Sequence, residues 1–177
     1  SNAEDYLRLG AFGYALSRFS GLWAGFKCVN DTADSTITAR LSRTPKQYSF
    51  PDIERPPEGL NLIVNDDRFA QEARTVNFRL PAAQAFARAN NIDEVIFDAT
   101  ERRFGIITAG KAYLDVIEAL SLLGIDARRA AALGIGVLKL GLTWPVDADG
   151  LRDFSARCRE IMVVEEKRPV IEPQVKD

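Results

Sequence analysis

Over the last third of the chain the apolar residues alternate between short solid runs and helical stripes. Phe104 to Ile107 runs into Thr108-Ala109-Gly110-Lys111, and Ile161 to Val164 runs into Glu165-Glu166-Lys167-Arg168. An apolar run ending in small or charged residues is how a buried parallel strand reads where it meets a loop. Ile135 to Leu140 is a third such run. The first gap carries a helix from Lys111 to Leu123, with Tyr113 or Leu114, Ile117, Leu120 and Leu123 inward and Gly124 as its stop. A short alanine-rich helix, Asp126 to Leu133, follows and ends at Gly134. After Thr143-Trp144-Pro145, Asp147 caps a helix from about Ala148 to Cys158, with Leu151 and Phe154 inward. The alternation predicts a β-α-β-α-β unit, an α/β fold with a parallel sheet between layers of helix.

The first half is less regular. Glu4 to Phe19 predicts a helix, with Tyr6, Leu9, Tyr14, Leu16 and Phe19 at roughly helical spacing. Leu22 to Val29 suggests a second helix ending near Asn30 to Asp34, and Ser35 to Leu41 alternates as a strand does. Prolines 45, 51, 56 and 57 then prevent regular structure between Thr44 and Asn65. Asp66 to Arg79 predicts a helix capped by Asn65 or Asp66, with Phe69, Ala73, Val76 and Leu80 on one face. Pro81 opens another, to Asn90. Glu94 to Phe97 is a short strand or extended lead-in. The organisation expected is a tag remnant at 1–3, a helical segment at 4–34 packing on an upstream domain or a partner, a connector at 35–93 and an α/β domain at 94–177. The tail from Pro169, charged and proline-containing, is expected to lead onward.

Composition narrows the function classes. The chain has 177 residues, 46% of them hydrophobic, which is enough for a core and too many for a disordered chain. A net charge of -2 does not suggest non-specific nucleic-acid binding. No apolar run approaches the ~20 residues of a membrane span, and cytoplasmic localisation is expected. Cys28 and Cys158 form no spaced pair, so neither zinc nor an iron–sulfur cluster is expected within this chain. The absence of histidine removes the commonest general base and argues against a self-contained hydrolase.

Two places offer chemistry. Thr108, Gly110 and Lys111 lie where a strand meets a helix N-terminus, which favours an anion such as a phosphate. A phosphate-binding loop would need an upstream glycine at the right spacing and Ser or Thr after the lysine, whereas Ala112 stands there. The plainer reading is a tight turn needing glycine. Glu165, Glu166 and Arg168 follow a strand at the end where open α/β sheets place ligands. Adjacent glutamates on a strand point to opposite faces, so they make no ready acid–base pair, and an interface is expected. Trp23, in an aromatic- and glycine-rich opening, is a further interface candidate. Lys27, Arg40, Arg43 and Lys46 read as a solvated basic face. No catalytic residue and no metal ligand is assigned.

The strand, Gly-Lys turn, long helix, Gly-Ile strand, Trp-Pro turn and Val-Val-Glu-Glu pattern resembles the C-terminal domain of transketolase-type thiamine enzymes. Ala15 to Lys27, Leu80 to Asn90, Ile107 to Asp115 and Val163 to Pro169 are similar to indolepyruvate:ferredoxin oxidoreductases. The resemblance spans about residues 6 to 173. It implies a large cytosolic enzyme that decarboxylates aryl pyruvates on thiamine diphosphate with Mg²⁺. Electrons pass through 4Fe-4S clusters to ferredoxin, and acyl-CoA is formed. It also implies that this chain is a non-catalytic middle piece, holding no cofactor itself. Its partners would be the other domains of the polypeptide, a second subunit in a homodimer, and ferredoxin and CoA through the whole enzyme. The family's cofactor-activating glutamate, diphosphate–Mg²⁺ motif and cluster cysteines have no counterpart here. Ala112, where many relatives carry serine, and Leu142-Thr143, where Met-Val is commoner, depart from the pattern. A CoA- or anion-binding module and a dimerisation domain are the alternatives.

Overall fold

The computed structural model describes residues 3–39, 44 and 46–176, which fall into two compact units, residues 2–91 and 92–177. In the first, α1 (Ala3–Ser20) packs on α4 (Leu80–Ala89). Phe12, Leu16 and Phe19 are its buried face, whereas Tyr14 points to solvent. Phe86 is fully buried, in ring contact with Phe12, Phe19, Tyr48 and Phe50. Burying one such ring stabilises by about 1.5–3 kcal/mol. This aromatic centre supplies the order that proline denies to the connector.

Several expectations fail in this unit. Residues 22–29 form no helix. Among the described residues the stretch ends in the single turn α2 (Asn30–Ala33). Residues 35–39 are not a strand, and 40 and 41 lie outside the described residues, as does Arg43 of the basic face. The two helices expected around Pro81 are one continuous path. α3 (Arg68–Arg74), capped by Asp67, passes through a π turn (Thr75–Arg79) into α4. The wider turn falls just where the proline ring would crowd the preceding carbonyls. Phe69 and Val76 are exposed, and two arginines are buried instead. Arg79 donates from Nε to the Leu60 carbonyl and from Nη2 to the Asn61 carbonyl, both at 2.7 Å. Arg74 pairs with Asp66. These charges are inward because their partners are fixed backbone and carboxylate oxygens.

The second unit is a four-stranded mixed sheet in the order β1-β3-β2-β4. β2 (Arg102–Ala109) lies between β3 (Ile135–Leu140) and β4 (Cys158–Val164) and runs parallel to both. β1 (Glu94–Phe97) runs antiparallel to β3, so the all-parallel sheet becomes a mixed one. Alternation sorts the side chains. Ile106 and Val137 meet Val116 and Leu120 of α5 (Gly110–Leu122) on one face. Ile107, Leu138 and Leu140 meet Leu151 and Phe154 of α7 (Ala148–Ser155) on the other. The result is helix, sheet, helix. α6 (Ala127–Leu133) is capped by Asp126 and closed by Gly134.

Three details differ from expectation. α5 buries Ala112, Val116 and Leu120, leaving Leu114 and Leu123 exposed, because the apolar content of this helix allows more than one stripe. β4 is an edge strand, with Met162 42% exposed. The tail folds back. Ile171 is buried, and Val175 of α8 (Glu172–Lys176) packs on the α7 face.

Candidate functional site

β2 and β3 are adjacent and parallel, and the helices that follow them lie on opposite faces of the sheet. Their C-terminal ends therefore form a topological switch point, where open α/β sheets leave a crevice. Thr108, Gly110 and Lys111 stand at the β2 side of it. The first turn of α5 follows Ala109, which offers no side-chain cap. Gly110 has φ +55°, and a β-carbon there would meet nothing within 4 Å. Lys111 Nζ lies 3.0 Å from both carboxylate oxygens of Asp115, one turn on, so its charge is partly neutralised. Thr108 is fully buried, and its hydroxyl has no hydrogen-bond partner among the described residues.

The β3 side carries residues that sequence reasoning passes over. Lys139 is buried within the strand, opposite Thr108 on β2 and Glu94 on β1. Its Nζ sits 4.9 Å from the Tyr113 ring centre, a cation–π contact. Asp93 Oδ1 accepts from the backbone N–H groups of Gly141 at 2.6 Å and Leu142 at 3.2 Å. Burial pushes this carboxyl up to about 6, the two N–H groups oppose the rise, and the nearby Asp147 and Glu94 add to it. Asp147 is buried and caps α7 through the Gly150 N–H. A lysine breaking the Gly-Val-Leu-Lys-Leu run is the one sequence signal for this side.

Glu165 is not free to act as a ligand. Its carboxylate accepts from the N–H groups of Val170, Ile171 and Glu172 at 2.8–3.0 Å. Burial alone would raise its pKa, and these three donors together hold it below the usual carboxylate range. Glu166 and Arg168 are exposed beside it. Trp23 belongs to the other unit and is 97% exposed.

A family model for the indolepyruvate oxidoreductase domain matches residues 94–177. Over that stretch the chain is similar to indolepyruvate oxidoreductase domains. The indolepyruvate oxidoreductase subunit IorA of Pyrococcus horikoshii is 40% identical over 137 residues, covering 77% of this chain and 18% of that protein. The same subunit of Methanothermobacter marburgensis is 34% identical over 89 residues, 50% of this chain and 13% of that protein. The chain thus spans less than a fifth of either relative. A 2-oxoglutarate:ferredoxin oxidoreductase from Magnetococcus marinus, solved with 2-oxoglutarate, coenzyme A and succinyl-CoA bound, superposes with a TM-score of 0.48 at 18% identity, over 73% of this chain and 21% of that one.

Among the described residues no three His, Cys, Asp or Glu side chains come together to hold a metal ion. Asp93 and Asp147, close enough for Asp147 to raise the Asp93 pKa, both accept from backbone N–H groups. Cys28 and Cys158 are both free thiols, the first exposed and the second half-buried. No described helix is long and apolar enough to cross a membrane.

Proposed function

We propose that this chain is a non-catalytic middle domain of an indolepyruvate:ferredoxin oxidoreductase. The whole enzyme would oxidatively decarboxylate aryl pyruvates to acyl-CoA, with ferredoxin as electron acceptor, in the cytoplasm. The observation that carries the reading is the domain match over 94–177 together with relatives up to 40% identical to this chain. Thiamine diphosphate, Mg²⁺ and 4Fe-4S clusters would be held by other parts of the polypeptide. The lack of histidine and of spaced cysteines supports that division of labour. Residues 4–34 would present Trp23 and the exposed side of α1 to a neighbouring domain or subunit. Glu166 and Arg168 would do the same at the end of β4, with Glu165 shaping the loop that displays them. In the whole enzyme the chain would sit within a homodimer. The isolated chain, supplied with thiamine diphosphate, Mg²⁺, indolepyruvate and CoA, is expected to release no CO₂. Release above the enzyme-free control would sink the reading.

A second role rests on Thr108, Gly110 and Lys111. The open positive-φ glycine at the start of α5, where Ala109 offers no side-chain cap, and the Thr108 hydroxyl, unpartnered among the described residues, favour an anion such as a CoA phosphate. Titration calorimetry with CoA should show saturable heat that weakens several-fold in Lys111→Ala. The absence of heat, or an unchanged affinity in the variant, would overturn it.

A further inference from the structure

Residues 169–176 are held to the second unit through side chains. Among the described residues no backbone–backbone hydrogen bond joins them to the rest of it. One side chain is fully inserted. Ile171 is 2% exposed, in one buried cluster with Leu140, Val146, Leu151 and Phe154, and Val175 packs against the same cluster one turn on. Two polar side chains supply the other ties. The Glu165 carboxylate accepts from the Val170, Ile171 and Glu172 N–H groups. Gln174 reaches the loop after β3 with both ends of its amide. Its Oε1 accepts from the Val146 N–H at 3.0 Å, and its Nε2 donates to the Thr143 carbonyl at 3.0 Å and the Val170 carbonyl at 2.6 Å. The segment is entered past Lys167, whose φ of +70° is strained for a residue with a side chain.

We propose that residues 169–176 are a latch that undocks as one unit with the loop at 143–146 while the sheet stays folded. The β3 side of the crevice then has a closed and an open state. A helix as short as α8 does not persist alone in water. Once Ile171 leaves its slot, the α8 turn and its cap therefore dissolve together. Gln174 leaves with them and withdraws the amide that bridges Thr143 and Val146. The Val146 side chain, 4% exposed and in the same cluster as Ile171, loses cover at the same moment. The sheet needs neither. β2 is paired on both sides, and Asp93 still holds the N–H groups of Gly141 and Leu142 at the end of β3. Segments held by few apolar contacts open at a lower free energy than the whole fold. The closed state fixes the loop that follows β3, and the open one uncovers the slot between Leu140, Val146, Leu151 and Phe154. The inference rests on the fold of this unit and stands apart from the catalytic assignment of the whole enzyme.

The test is hydrogen exchange of the full 177-residue chain, read amide by amide by NMR where opening and closing outpace exchange. The amides of residues 171, 172 and 175 report docking of the tail, and that of Val146 reports the loop. All four should share one protection factor to within about threefold, with the Ile106 and Ile107 amides at the sheet centre protected at least about a hundredfold more. Ile171→Val removes one methylene from the slot and should lower the protection of all four by a common factor of about fivefold. Ile106 and Ile107 remaining far slower than the four establishes that the variant is folded. A Val146 amide whose protection Ile171→Val leaves unchanged overturns the proposal, because the loop then opens without the tail. Tail amides as well protected as the sheet centre overturn it too, because no separate open state then exists.

Discussion

Replacing Asp93 with asparagine should stabilise the second unit at neutral pH, although it deletes a charge that accepts two N–H bonds. The carboxyl titrates at about 6 in the folded chain against a usual 3.8. Burial is the largest cause, Asp147 and Glu94 add to the rise, and the Gly141 and Leu142 N–H groups oppose it. A raised acid pKa means that the folded state binds the proton more tightly than the unfolded one. The penalty is absent below about pH 3.8, grows as pH rises toward 6 and is complete above that. A rise of about 2 units at ~1.36 kcal/mol each sets the penalty near 3 kcal/mol. The asparagine amide keeps a carbonyl oxygen for the same two donors without the charge. The gain at pH 8 should therefore approach that figure and shrink toward zero near pH 4. Urea unfolding would measure it in a Trp23→Phe background, leaving Trp144, next to the clamped segment, as the sole tryptophan reporter. If Asp93→Asn is less stable than its parent at pH 8, the N–H bonds outweigh burial and the reasoning is refuted. A difference that does not change between pH 4 and pH 8 would refute it equally.

Three further outcomes follow from the packing. Arg102→Ala should cost about 3 kcal/mol. This buried guanidinium donates to Asp98 at 2.6 and 2.9 Å and to the Phe154 carbonyl at 2.9 Å, and it lies 4.4 Å from the Phe154 ring centre. Asp98→Ala should cost only about 1 kcal/mol, because its carboxylate is exposed, and equal thermal shifts for the two would contradict the assignment. Gly21→Ala should destabilise the first unit by at least about 2 kcal/mol in urea titration, since the residue has φ +73° and a β-carbon would stand 1.9 Å from the Leu60 carbonyl oxygen. Glu165→Gln should speed amide exchange at 170–172 by roughly fivefold, for a loss of about 1 kcal/mol as in other cap replacements. In the parent chain the lowered Glu165 pKa makes its stabilisation present above the ordinary carboxylate range and lost as pH falls through the folded value.

The order of strands and helices after residue 100 is readable because each apolar run is short and each helix is bracketed by its stop or cap. Gly124, Asp126, Gly134 and Asp147 act where their residue types predict. What escapes the sequence is whatever depends on neighbours in space. Ile161 to Val164 reads like a buried strand, and only the sheet order makes β4 an edge. The α5 stripe is ambiguous because its sequence offers apolar residues on several faces. The buried Arg74, Arg79, Arg102 and Lys139 are invisible because their compensating partners are distant carbonyls, carboxylates and a ring. The Gly-Lys turn stands out from its spacing alone. Its restraint by Asp115, and the clamp of Asp93 on the end of β3, need coordinates.

If this chain serves an indolepyruvate oxidoreductase without performing its chemistry, as proposed, turnover belongs to the whole polypeptide. The most direct measurement compares the whole enzyme with the isolated chain. Both would receive indolepyruvate, CoA, thiamine diphosphate and an electron-accepting dye, with acyl-CoA and reduced dye quantified together. Matched formation of both products by the whole enzyme, and of neither by the chain, is expected. A whole enzyme inert toward indolepyruvate, or a chain that turns over alone, would contradict it.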